Sequence, residues 1–73
     1  MLDRNGKLIH LGDRVAIRGG IVGVVVFSID TDEFSLEFPK DQWEYLGRGI
    51  MIRSDQAGLV HLPEGDEHTE VIA

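Results

Sequence analysis

The hydrophobic and polar positions of this chain fall into short alternating runs broken by glycine, aspartate and asparagine, a pattern of strands and turns. Asn5-Gly6 tolerates positive φ at both positions and predicts a hairpin between residues 2–4 and 7–10. After Gly12-Asp13, Val15 and Ile17 alternate with Arg14, Ala16 and Arg18, which places both aliphatic residues on the core face of a half-buried strand. Gly19-Gly20 permits a tight reversal into residues 21–29, a β-branched stretch expected to form the central strand. Asp30-Thr31-Asp32 reads as a turn, and Phe34, Leu36 and Phe38 then alternate as one face of another strand ended by Pro39.

Residues 39–46 read as a short helix: Pro39 suits its first turn, Asp41 favours the N-terminal dipole, and Gly47 provides a C-terminal cap. Trp43 and Leu46 then share a face. Ile50 and Ile52 alternate with Met51 and Arg53, residues 54–58 form a turn, and residues 59–62 make a strand before Pro63. The expected fold class is all-β: a small barrel of about five antiparallel strands over residues 1–63, with one short helix. Residues 64–73 are expected to be an acidic, mobile tail, with Val71-Ile72 either a last short strand or a frayed end.

The segment GDRVAIRGGIVGVVV resembles the SH3-like barrel class, and within it the KOW motif, through Gly12, Asp13, Val15, Ile17, Gly20, Gly23 and Val25. The resemblance covers about a fifth of the chain and implies a barrel with a Gly-Asp turn, a strand, a glycine loop and a valine-rich strand. KOW-type loops commonly carry, beside the loop glycine, a basic residue that contacts RNA or a polymerase-associated partner. Here Ile21-Val22 stand in that region.

Composition narrows the functional classes. With 73 residues and no cysteine, the chain lacks disulfides, thiolate metal sites and a thiol nucleophile, and a domain of this size retains only about 3–5 kcal/mol of net stability. Thirteen acids against seven bases give a net charge of −6, which disfavours general binding to a nucleic-acid backbone. The opening residues carry no apolar signal region, and no apolar run approaches a membrane span, so the expected setting is cytoplasmic.

Candidate chemistry is sparse. Gly20-Ile-Val-Gly23 leads into a strand, whereas a phosphate-binding glycine loop leads into a helix N-terminus. A calcium loop starting at Asp30 would need an oxygen ligand where Phe34 stands and glycine where Ser35 stands. His10, His61 and His68 lack helical metal-ligand spacing, and the serines lack a nucleophile-elbow context. No catalytic residue, metal or cofactor is therefore assigned, and the chain is not expected to be an enzyme.

The central strand poses the sharper question. If Ile21, Gly23, Val25, Phe27 and Ile29 point inward, then Val22, Val24 and Val26 face outward and, left bare, expose roughly 200–300 Å² of apolar side chain. Their cover is either the segment after Asp32, the tail, a second copy or another protein. The expected function is a non-catalytic protein-binding or assembly module, in one form a homodimer, using Val22, Val24 and Val26 together with Trp43 and Tyr45. Two alternatives accompany it. A KOW-like accessory to RNA or transcription machinery would use Arg14, Arg18, Arg48 and Arg53, and an acidic immunity or inhibitor protein would use Asp30, Asp32, Glu33 and Glu37 on a basic partner.

Overall fold

A computed structural model describes all residues, 1–73. Five strands form one antiparallel sheet: β1 (Arg14–Ala16), β2 (Val22–Ser28), β3 (Ile50–Ser54), β4 (Gly58–Leu62) and β5 (Glu70–Val71). Their order is β4-β3-β2-β1-β5, a meander extended by a last strand that returns to pair with β1. This is the small all-β fold expected from the turn and strand pattern. β4 and β5 are the two edges of the sheet and do not pair with each other. No helix is long and apolar enough to cross a membrane.

The single helical segment is where the sequence places it. Helix α1 (Lys40–Trp43) follows Pro39 and continues into a 3₁₀ turn over Glu44–Leu46, which Gly47 ends at φ 87°. Residues 34–38 differ from expectation. Only Glu33 bridges to Ser28, after which Ser35 and Phe38 exchange backbone hydrogen bonds of 3.2 and 3.1 Å and the Ser35 hydroxyl accepts a third from the Phe38 N–H. This tight turn sends Phe34 and Phe38 into the protein and leaves Leu36 fully exposed.

The sheet separates two apolar clusters. On the inner face Val15, Val25, Ile50 and Ile52 pack with Ile9 from the N-terminal hairpin, all at most 1% exposed. On the outer face Phe27 and Met51 pack with Phe38, with Phe34, Trp43 and Leu46 around them. Gly23 faces inward, where a Cβ would lie 2.7 Å from the Arg53 carbonyl oxygen, so no side chain fits between β2 and β3 there.

A bulge corrects the predicted alternation of β2. Val25 is opposite Ile52 and Phe27 is opposite Met51, leaving Val26 as an extra residue between them. Phe27 consequently changes face: it was expected inward with Val25, but it joins Met51 and the aromatic cluster, where Ile29 also packs. The cover for that half of the outer face comes from the chain's own segment after Asp32.

The last ten residues, expected as a tail, contribute structure of their own. Val71 pairs with Val15 and packs against the inner cluster, and Thr69 is buried. A side chain far away in sequence secures this return. Asp3 accepts hydrogen bonds from Asn5 and Lys7 N–H on Oδ1, at 2.9 and 2.8 Å, and from Val71 N–H on Oδ2, at 2.9 Å. The Val71 bond, followed by that from Lys7, holds the Asp3 carboxyl below its ordinary value of 3.8.

A carboxyl depressed in the folded state stabilises the fold fully above its ordinary pKa, and the contribution disappears as pH falls through the lower folded value. Asp3→Asn places an amide NH₂ where two donor sets need acceptors, and so releases the Val71 N–H. The variant should melt below the parent at neutral pH, with the difference shrinking below about pH 4. Faster hydrogen exchange at the Val71 amide would locate the loss in β5; an unchanged Val71 rate would refute the tie.

Candidate functional site

The outer face is covered at only one end. At the other, β1, β2 and β3 form the floor of a groove of about 320 Å³ lined by Arg14, Val22, Gly23, Val24, Val26, Arg53 and Asp55. Val22, Val24 and Val26, singled out in the sequence for their lack of inner-face partners, are thereby brought together. Val24 remains 40% exposed, while Val22 and Val26 are half-buried. Val26 also packs against the aromatic cluster and marks the boundary between the covered and open halves.

Register puts two charged side chains beside the valine floor. Arg14 is opposite Val24 from β1, and Arg53 is opposite Val24 from β3, so one row across the sheet reads Arg, Val, Arg. Arg53 is held in place: it ion-pairs with Glu37 and its guanidinium lies 5.4 Å from the centre of the Phe38 ring. Arg14 is exposed and has no carboxylate of the chain within ion-pair distance. Asp55 lines the groove beside Val22, where it continues the β3 register beyond Ser54.

Trp43 and Tyr45 lie elsewhere. Trp43 is half-buried in the aromatic cluster, with its ring 5.5 Å from that of Phe27 and 5.6 Å from that of Phe38. Tyr45 stacks on the outer side of Trp43 at 6.5 Å and is 74% exposed. Neither lines the groove. The four arginines are also divided: Arg18 pairs with Asp66 at 3.4 Å and Arg48 lies outside the groove lining, so only Arg14 and Arg53 share a site.

No family model, curated protein or solved structure matches the chain.

The acidic residues are engaged within the chain. Asp30 accepts the Gly49 N–H at 2.9 Å, Asp32 pairs with Lys40 at 2.8 Å, and Glu37 pairs with Arg53. Glu33 accepts from the Thr31 hydroxyl, His10 and the Leu11 N–H, and these bonds, that from Thr31 foremost, hold its carboxyl below the usual range. His61 bonds the Arg48 carbonyl at 2.9 Å, so His10 and His61 serve separate loops.

One structural residue had no sequence signal. Gln56, in the β3–β4 turn, accepts the Val22 N–H on Oε1 at 3.1 Å and donates from Nε2 to the Gly20 carbonyl at 3.2 Å. It fixes the start of β2 and hence one end of the groove. A glutamine between Asp55 and Ala57 looks like any turn residue until the partner loop is known.

Proposed function

We propose that the chain is a non-catalytic protein-binding module whose docking surface is the groove over Val22, Val24 and Val26. The observation that carries this reading is the open apolar floor on a sheet face whose other half is covered by Phe34, Phe38, Trp43 and Leu46. Apolar area removed from water is worth about 25 cal/mol per Å², so contact over these valines supplies useful binding free energy to a small domain. Of the charged groups at the rim, Arg14 and Asp55 have no ion-pair partner in the chain and suit pairing with a partner, whereas Arg53 is already engaged by Glu37. A second copy is one form of this reading, in which the module assembles with itself.

RNA and basic-partner readings have less support. The cations do not form the continuous stripe that counterion release rewards, and each of the four acids already has a partner in the chain.

Val24→Glu tests the proposal without disrupting the core. The new carboxylate would stand between Arg14 and Arg53, so the variant should remain folded and within about 1 kcal/mol of the parent in urea titration. It should lose association, either with itself in sedimentation velocity or with a partner retained from its native cells. Unchanged association in both measurements would overturn the assignment of the groove as the docking surface.

A further inference from the structure

The N-terminal hairpin holds β5 through three successive residues. Asp3 Oδ2 accepts the Val71 N–H at 2.9 Å, the Arg4 N–H donates to the Thr69 carbonyl at 2.7 Å, and the Asn5 side-chain amide donates to Glu70 Oε2 at 3.4 Å. The hairpin is in turn closed on Asp3, whose carbonyl accepts the Gly6 N–H at 3.0 Å and whose Oδ1 accepts the Asn5 and Lys7 N–H groups at 2.9 and 2.8 Å. The backbone between residues 5 and 7 therefore sets how the Asp3 carboxylate is held toward Val71.

Asn5 is the only asparagine of the chain, and glycine follows it. Without a Cβ, Gly6 leaves its nitrogen open to the Asn5 side chain. Both residues are exposed, and a Cβ at Gly6 would meet nothing within 4 Å, so only the hairpin's own hydrogen bonds hold its tip. Exposed turns of this kind open locally at low cost, which frees the Gly6 nitrogen. Arg4 and Lys7, exposed on either side, favour the ionised form that this nitrogen takes when it attacks.

We propose that Asn5-Gly6 is a self-modification site at which the asparagine loses its amide and the hairpin loosens its hold on β5. The Gly6 nitrogen gives its proton to water and bonds to Asn5 Cγ; the bond from Cγ to the side-chain nitrogen breaks, and ammonia leaves with a proton taken from water. The cyclic imide that results is then opened by a second water. Addition at Cγ returns the backbone to its original course and leaves aspartate at position 5. Addition at the Asn5 backbone carbonyl leaves the chain running through Cβ and Cγ, which is isoaspartate. The net change is one water taken up and one ammonia released, with no oxidant or cofactor.

Both products act on the contacts to β5. Aspartate puts a carboxylate where the amide donated to Glu70, turning an attraction into a like-charge contact. Isoaspartate adds a backbone carbon before Gly6, which displaces the Gly6 and Lys7 N–H groups from Asp3 and frees the carboxylate that faces Val71. β5 is then left with its two-residue pairing to β1.

The test ages the full chain in warm, mildly alkaline buffer and follows three quantities: intact mass, isoaspartate at residue 5 by peptide mapping, and hydrogen exchange at the Val71 amide. The folded parent should gain the mass of an amide-to-acid change at residue 5, with isoaspartate the major product. In the purified isoaspartyl form, Val71 should exchange about two- to tenfold faster, the loss expected for one hydrogen bond together with an exposed charge contact. Asn5→Gln would have to close a larger, slower-forming ring, so it should keep its amide and its Val71 exchange rate through the same treatment. A folded parent that keeps its amide, while the same chain in urea loses it, would overturn the proposal by showing that the turn protects the site. Conversion without any change at Val71 would overturn the link to β5.

Discussion

Replacing Phe27 by alanine is expected to leave the chain largely unfolded at room temperature. Phe27 has no exposed surface, and it is the ring around which the outer cluster is arranged: its centroid lies 5.6 Å from that of Phe34, 5.8 Å from Phe38 and 5.5 Å from Trp43. Truncating a buried phenylalanine costs about 3–5 kcal/mol through lost burial and the cavity left behind. That equals the whole net stability of a domain this small, about 3–5 kcal/mol. The loss also reaches beyond one side chain, because Trp43 and Leu46 anchor the helical segment to the sheet through this cluster. Phe27→Leu keeps most of the volume and should cost roughly 1–2 kcal/mol. Urea titration followed by Trp43 fluorescence separates these outcomes; an alanine variant with the parent's midpoint would show that the cluster does not hold the fold.

Gly49→Ala should be nearly as damaging for a different reason. Gly49 has a φ of 94°, and a Cβ there would lie 2.0 Å from the Leu62 carbonyl oxygen and 2.7 Å from the Pro63 α-carbon. Those are backbone atoms and cannot swing aside. The residue is fixed from its other side, since its N–H donates to Asp30 and its carbonyl accepts the Ile29 N–H at 2.9 Å each. Making room would require β3 to part from β4 beside the Ile50 and Leu62 pair. Unfavourable backbone geometry and overpacking together should cost about 3–5 kcal/mol. Gly6→Ala is the control: Gly6 also has positive φ, at 81°, but an added Cβ meets nothing within 4 Å, so only the conformational cost of about 1–2 kcal/mol applies. Equal losses in thermal melts of the two variants would refute the steric account of Gly49.

The strands and the short helix were legible because their signals are local. Alternation marked β1 and β3, Asn5-Gly6 and Gly19-Gly20 marked turns, and Pro39 and Gly47 framed the helical segment. The bulge was not legible, because an unbroken Val-Val-Val-Phe run looks the same wherever an extra residue is inserted, and only the partner strand fixes it at Val26. Phe34, Leu36 and Phe38 misled for a related reason: period-two spacing also arises when a tight turn turns one hydrophobic residue outward, and Ser35, whose hydroxyl caps that turn, was the weak clue. The return of β5 depends on Asp3 reaching Val71 across nearly the whole chain, a contact that no local window contains.

The candidate site was legible in part. The valines could be picked out because their strand was apolar on both faces, whereas Arg14 and Arg53 had been grouped with Arg18 and Arg48 by charge alone. Cross-strand register regroups them with Val24. Trp43 and Tyr45 fall outside the groove because the helical segment carries them over the other half of the face.

The bulge at Val26 also determines how this chain would tolerate a change in length. Remove that residue and Val25 still meets Ile52, Phe27 still meets Met51, and the pairs beyond them follow in unbroken succession. A deletion one residue earlier or later would give the same ladder with a different side chain lost. Residue 26 is therefore the natural place for a gap when a shorter homologous sequence is aligned to this one, and an ungapped alignment would exchange inside for outside along half of β2.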